Sequence, residues 1–159
     1  MPKPEPRIPT TAGAGPMSYA IFQLARAHRA YAAAMLREMD LHPGQELLLM
    51  QLLDRDGQTQ SELLDSVGLD HSTVSKSLRR MQDAGLLVRE PAAHDRRVMV
   101  VHLTDKGRAM REPIAALWRA LEETSARNLS EQQAESFVET AYAITEAISS
   151  RALPEEESA

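Results

Sequence analysis

Apolar residues recur at helical spacing through the first third of the chain. From Ser18 to about Met39 they fall every three or four positions, which predicts one long amphipathic helix. A second helix is predicted from Pro43 to Asp54, because proline suits a first helical turn and leucine then occupies most sides of the helix. A helix that is apolar on most sides is expected to be buried.

Two shorter helices are predicted next. Thr59 and Glu62 have the spacing of a capping box, which starts a helix over about residues 60–67. A further helix is expected from near Asp70 to about Ala84. Two short helices joined by a tight turn that contains glycine form the helix-turn-helix pattern.

The pattern then predicts a β-hairpin with a basic tip, formed by strands over residues 86–90 and 98–103. Thr104 is expected to cap the following helix, which Pro113 should kink because proline removes a backbone donor. Ser130 is expected to cap the last helix.

The element order is therefore α-α-α-α-β-β-α-α, a mainly α (α+β) fold. It predicts a winged helix-turn-helix domain at residues 41–104, with a helical dimerisation region formed by residues 17–40 and 105–152. The terminal helices carry apolar stripes without a sequence-adjacent partner, and a second copy of the chain would bury them. Flexible tails are expected at residues 1–16, which are rich in proline, and at residues 153–159.

Charge is distributed unevenly along the chain. Residues 70–111 contain nine basic and five acidic side chains, a net +4, so the remainder carries −9 of the total of −5. A basic middle inside an acidic protein is typical of a DNA-facing module on a scaffold that does not touch DNA, although a solvated charged face has the same composition.

The fourth helix carries the candidate DNA-binding chemistry. Val74, Leu78 and Met81 should face the core, which leaves a face of short hydroxyls followed by cations. Hydroxyls let a helix enter the major groove deeply, while lysine and arginine reach phosphates or guanine. The candidate residues are Ser72, Thr73, Ser75, Lys76, Arg79 and Arg80. The alternative is an ordinary amphipathic surface helix.

The hairpin tip supplies a second candidate contact. Arg96 and Arg97 would project on a ribbon that inserts into the narrow, electronegative minor groove. Asp95 is expected to orient Arg97 through a bidentate pair. An exposed charged turn is the alternative.

Several motifs together resemble the multiple-antibiotic-resistance regulator (MarR) family. They are Gly57–Leu63, His71–Ser75, Asp83–Val88, Asp95–Arg97 and Leu103–Gly107, and the resemblance covers about residues 18–150. It implies a homodimer held by the first and last two helices, which binds pseudo-palindromic double-stranded DNA. It also implies a repressor that a small aromatic ligand releases. The recognition positions carried over are Ser72, Thr73, Ser75, Lys76 and Arg79, with Asp95, Arg96 and Arg97 in the wing.

The same resemblance suggests a ligand cleft between the dimer helices and the DNA-binding lobe. His28, Tyr31, Met35 and Trp118 are the candidates to line it, with core packing as the alternative role for each. Whether any effector exists stays open, so a ligand-independent regulator is a second possibility.

Other function classes find little support in the sequence. The five histidines lack the spacing of a helical ligand pair and the chain has no cysteine, so no metal site and no cofactor is predicted. The sequence has neither a glycine-rich phosphate loop nor a nucleophile elbow, which argues against an enzyme. A winged protein-interaction module is the remaining alternative, although the polar fourth helix lacks apolar anchors. No membrane span or signal peptide is found, and a cytoplasmic location is expected.

Overall fold

The computed structural model describes residues 8–151, and the chain divides after Leu121 into two compact units. The helix-turn-helix and the hairpin lie entirely in the first unit, and the last helix lies in the second. Residues 1–7 of the predicted N-terminal tail and the whole predicted tail at residues 153–159 lie outside the described residues.

The first unit opens with helical structure earlier than the sequence pattern predicts. A 3-10 turn spans Thr10–Ala14, and helix α1 spans Pro16–Glu38, so part of the segment expected to be an irregular tail is helical. Proline at the first position of α1 explains this start, because the backbone donor it lacks would have no partner there.

Helix α2 spans Gln45–Asp54 and begins two residues after the predicted start at Pro43. Gly44 precedes it with a φ of 95°, a left-handed conformation that glycine adopts readily. The backbone N–H of Gly44 donates to a Glu46 carboxylate oxygen at 2.8 Å. Burial raises the pKa of Glu46, and this backbone contact opposes the rise.

The helix-turn-helix consists of α3, Gln60–Val67, and α4, His71–Asp83. The predicted capping box at the start of α3 is confirmed: Glu62 N–H donates to the Thr59 hydroxyl, and Thr59 N–H donates to the Glu62 carboxylate at 2.7 Å. The Thr59 backbone N–H lowers the pKa of the Glu62 carboxyl most, followed by the Arg55 guanidinium and the Thr59 hydroxyl.

A small antiparallel sheet forms the wing and its base. Its strands are β1, Gln58–Thr59, β2, Leu87–Pro91, and β3, Met99–Leu103, in the order β1-β3-β2. The predicted hairpin is β2 with β3, whose paired residues run from Leu87 opposite Leu103 to Pro91 opposite Met99. Strand β1 was not predicted from the sequence, because a strand of two residues is too short to show an alternating pattern.

The helix predicted after Thr104 is divided into two. Helix α5 spans Asp105–Arg108 and helix α6 spans Arg111–Ala126, so the predicted single helix is interrupted and resumes two residues before Pro113. Pro113 is the third residue of α6, where no intrahelical acceptor exists for a backbone donor. In the second unit, α7 spans Glu131–Ser149 and begins with a capping box between Ser130 and Gln133, which confirms the predicted cap.

Leucine dominates the core of the first unit, as the scarcity of aromatic residues requires. Each of α1 to α4, the hairpin and α6 contributes to it; its most deeply buried side chains are Leu36, Leu48, Leu49, Leu52, Leu63, Leu78, Met81, Leu87, Val74 and Val101. The helix-turn-helix and the hairpin therefore form one packed body. Among residues 8–151, no helix combines the length and the apolar character that crossing a membrane requires.

Candidate nucleic-acid interface

Helix α4 is held in a fixed rotation by its buried face. Val74, Leu78 and Met81 are at most 1% exposed, as the sequence pattern predicts. The opposite face is open to solvent at Ser72, Lys76, Arg79 and Arg80, while Thr73 and Ser75 are half-buried. A rigid helix positions side chains more accurately than a loop does. The side chains on the polar face are therefore held in positions suited to specific contacts.

Asp70 caps the N-terminus of α4. Its carboxylate accepts the Thr73 backbone N–H at 2.9 Å and the Thr73 hydroxyl at 2.5 Å. The hydroxyl contact has the largest effect in lowering the pKa of Asp70, followed by the backbone contact. Because an ionised carboxylate only accepts hydrogen bonds, the Thr73 hydroxyl must donate its proton to Asp70.

A groove of about 370 Å³ runs beside the polar face of α4. Ser72, Ser75, Lys76 and Arg79 of the predicted set line it, together with Gln60 from α3 and Arg89 from β2. Short polar groups and the cations Lys76, Arg79 and Arg89 therefore face one surface. A groove lined in this way matches the acceptors of base edges and the charge of phosphates.

Gln60 and Arg89 are absent from the residues that the sequence analysis selected. Gln60 Nε2 donates to the Ser75 hydroxyl oxygen at 3.0 Å, and Arg89 Nε donates to Gln82 Oε1 at 3.0 Å, which ties the hairpin to α4. The signal available for Arg89 was its place in the basic segment. Nothing in the spacing of Gln60 pointed to this surface.

A second groove, of about 250 Å³, lies where α3, the start of α4 and the end of the wing's turn meet. Arg97 and His71 contribute its ionisable side chains; the full lining is Thr59, Gln60, Ser61, Leu64, His71, Val74, Arg97, Val98 and Met99. Gln60 borders both grooves. Arg97 therefore lies close to the helix-turn-helix, and Arg96 is an exposed neighbour in the turn.

Asp95 shapes the turn of the wing through the backbone. Its carboxylate accepts the Arg97 backbone N–H at 3.0 Å, and its carbonyl accepts the Val98 N–H at 3.0 Å. The expected bidentate pair between Asp95 and the Arg97 guanidinium is therefore replaced by a contact with the Arg97 main chain. Asp95 orders the turn and leaves the guanidinium groups to other partners.

The four candidate ligand-binding residues are spread over two helices. His28 and Tyr31 are exposed on α1, whereas Met35 is half-buried and packs against the core. Trp118 on α6 is 38% exposed and donates its indole N–H to the Met50 sulfur at 3.0 Å. None of the four lines either groove described above. Within residues 8–151, no three His, Cys, Asp or Glu side chains come together as a metal site.

The fold and this surface define a winged helix-turn-helix protein. Residues 39–98 match the model of the MarR family. The HTH-type transcriptional regulator MgrA of Staphylococcus aureus is 31% identical over 88 residues, which are 55% of this chain and 60% of MgrA. The chain thus spans less than two thirds of the length of MgrA. MgrA is named a transcriptional regulator and not an enzyme.

Solved structures share the fold over most of the chain. A mutant MarR from E. coli complexed with operator DNA has a TM-score of 0.77 at 20% identity, covering 86% of this chain and 99% of that one. BpsR of Bordetella bronchiseptica, whose DNA binding is regulated by 6-hydroxynicotinic acid, has a TM-score of 0.74 at 19% identity. That match covers 81% of this chain and 92% of BpsR.

Proposed function

We propose that this protein is a homodimeric repressor of transcription that binds a pseudo-palindromic operator through α4 and the wing. The observation that carries the proposal is the groove along α4, where hydroxyls and the cations Lys76, Arg79 and Arg89 face one side of a helix whose other side is fully packed. A mutant of the similarly folded MarR from E. coli has been crystallised with operator DNA, which supports DNA binding by a protein of this fold.

Helix α4 would lie in the major groove. Its N-terminal hydroxyls, on Ser72, Thr73 and Ser75, would meet base edges, because short side chains allow close approach. Lys76 and Arg79, one turn further along, would bind phosphates or a guanine. Arg80 is exposed near the end of the helix and would add to the attraction for the phosphate backbone.

The wing would contact the adjacent minor groove. Arg96 and Arg97 are exposed in the turn that Asp95 orders, and a narrow minor groove attracts arginine through its negative potential. Because Arg97 also lies beside the N-terminus of α4, the two contacts would be made from neighbouring points of one body.

Homodimerisation is proposed from the apolar faces that each unit leaves uncovered. On α1 the exposed apolar side chains include Met17, Ile21, Phe22 and Leu24, and on α7 they include Phe137, Val138, Tyr142 and Ile148. Helix α7 has no buried residue within the described chain. Pairing of two copies would cover these faces and would set two recognition helices about one turn of DNA apart.

We also propose that a small aromatic ligand releases the protein from its operator DNA. BpsR, which shares the fold, is regulated in its DNA binding by an aromatic acid. The candidates in this chain remain His28, Tyr31, Met35 and Trp118, of which the exposed aromatic Trp118 and Tyr31 offer stacking surfaces.

Selection from a random library of DNA duplexes tests the function and identifies the operator sequence in the same experiment. The expected result is enrichment of one pseudo-palindrome whose half-sites lie about one helical turn apart. The double variant Lys76→Ala with Arg79→Ala should enrich none, and Arg151→Ala, outside the interface, serves as the control. If the folded wild type enriches no sequence, the function is contradicted and α4 becomes a candidate protein-binding surface.

A further inference from the structure

Gln60 joins the two helices of the helix-turn-helix at the surface proposed to face DNA. It is the first residue of α3, and its side-chain amide donates to the Ser75 hydroxyl on α4 at 3.0 Å, fifteen residues further along the chain. Both side chains are half-buried and both line the groove beside α4. The bond therefore lies beside the path of an incoming base edge.

This bond decides how the Ser75 hydroxyl can be used. A serine hydroxyl has one proton to donate and two lone pairs that accept. Because the Gln60 amide occupies a lone pair of Ser75, the proton of Ser75 is left for a partner other than Gln60. Ser75 can then present this proton to the groove as a donor, with its second lone pair beside it.

Thr73, on the same helix, has the opposite hydrogen-bonding role to Ser75. The Thr73 hydroxyl donates its hydrogen bond to the Asp70 carboxylate at 2.5 Å, so its oxygen can only accept from a further partner. Helix α4 thus presents an acceptor at Thr73 and a donor at Ser75. Sequence alone would treat the two hydroxyls as equivalent.

We infer that Gln60 is a positioning residue for DNA specificity, which holds the Ser75 hydroxyl as a donor toward an acceptor on a base edge. The acceptors available in the major groove are guanine O6 and N7, adenine N7 and thymine O4. The amino groups of cytosine and adenine would be disfavoured opposite Ser75, because they would meet only its second lone pair and would leave its proton without a partner. This inference rests on the proposed function and adds to it a residue outside the recognition helix.

A purely structural role for the bond makes a different prediction. The two helices are already joined through the core by Leu63, Val74 and Leu78, which are at most 1% exposed. A surface hydrogen bond between neutral groups adds little to such packing. Loss of Gln60 should therefore change base preference more than it changes the melting temperature.

The test measures the affinity of variants for the selected duplex and for each single base-pair replacement in one half-site. Gln60→Ala should reduce the preference at one position by about threefold to tenfold, the equivalent of one neutral hydrogen bond. Ser75→Ala should reduce it at the same position, and the double variant should lose no more than either single variant. Gln132→Ala, an exposed glutamine on α7, should leave every preference unchanged.

Gln60→Glu provides the sharpest variant, because its carboxylate accepts and never donates when ionised. Ser75 would then give its proton to Glu and present lone pairs, so the preference at that position should move toward a base with an amino group. If Gln60→Ala and Gln60→Glu bind with the wild-type preferences, or alter a position that Ser75→Ala leaves unchanged, the inference is overturned and the proposed function stands. If the wild type itself shows no base preference, both are overturned.

Discussion

The hydroxyl of Thr73 donates to the carboxylate of Asp70 at 2.5 Å, within the cap that begins helix α4. The same carboxylate accepts the Thr73 backbone N–H. The cap thus fixes both the start of α4 and the polarity of a side chain proposed to meet DNA. The start of α4 and the proposed recognition therefore share one ionised group.

Acid should destabilise the helix-turn-helix by protonating the Asp70 carboxylate. The folded-state pKa of Asp70 is lowered from its ordinary value of 3.8 by Thr73, so the unfolded chain binds this proton more readily than the folded one. The stabilisation is present above pH 3.8 and is lost as the pH falls through the lowered folded value. Glu62, lowered from 4.5 by the Thr59 backbone and by Arg55, acts in the same direction.

Asp70→Asn should therefore flatten the acid side of the stability profile, because asparagine caps a helix about as well but does not titrate. Urea unfolding at a series of pH values from about 3 to 7 measures the effect. Asp105→Asn, at an exposed position beyond the helix-turn-helix, is the control. A profile for Asp70→Asn that is as steep as that of the wild type would refute the assignment.

Gly107→Ala should destabilise the first unit strongly. A Cβ at this buried position would lie 2.0 Å from the Leu86 carbonyl oxygen and 3.0 Å from a Leu103 side-chain carbon. Backbone cannot move aside as a flexible side chain can, so a cost of about 1–3 kcal/mol or more is expected. Gly13→Ala, with no atom within 4 Å of the added Cβ, is the matched control. Equal unfolding midpoints for the two variants would show that α5 can move away from Leu86.

Phe137→Asp should shift the protein from dimer to monomer. Phe137 is 51% exposed on α7, among apolar side chains that a second copy would cover, and a buried unpaired carboxylate opposes association. Sedimentation velocity measures the change over a concentration series. Glu139→Ala on the same helix should leave the dimer intact. A Phe137→Asp protein that sediments as the wild type does would place the dimer contact elsewhere.

Arg97→Ala should weaken DNA binding while it leaves the dimer and the fold intact. The guanidinium is exposed and the turn is ordered by Asp95 through the Arg97 main chain, so truncation removes charge without removing the contact that shapes the wing. Anisotropy of a labelled duplex measures the affinity, and circular dichroism with sedimentation checks the fold. A monomeric or unfolded variant would mean that Arg97 supports the structure and does not serve as a DNA contact.

Local signals predicted most of the fold. The capping box at Thr59 and Glu62 set the start of α3, and the stripe of Val74, Leu78 and Met81 gave the rotation of α4. The hairpin strands followed from their β-forming residues and the turn between them. Each of these features is decided within about one or two turns of chain, which is the range that periodicity and capping describe.

The structure differs from the sequence-based predictions where contacts between distant parts of the chain determine the local structure. Strand β1 exists because Gln58 pairs with Val101, and the side chain of Gln60 is placed by Ser75 on the next helix. Arg89 joins the surface because Gln82 holds it against α4. Charge pattern located the basic region, but tertiary contacts decided which side chains share a groove.

The most direct test of sequence-specific recognition is the binding of the wild type to its selected duplex and to a scrambled duplex over a salt series. We expect a clear preference for the selected duplex, with affinity that falls steeply as salt rises, by about 0.9 logarithmic units per phosphate contact for each tenfold rise in salt. Arg79→Ala should cost about 1–3 kcal/mol on the selected duplex alone if Arg79 binds a guanine. Equal losses on both duplexes would make it a phosphate contact. A folded dimer that binds neither duplex, or both equally, would contradict sequence-specific recognition by α4 and the wing.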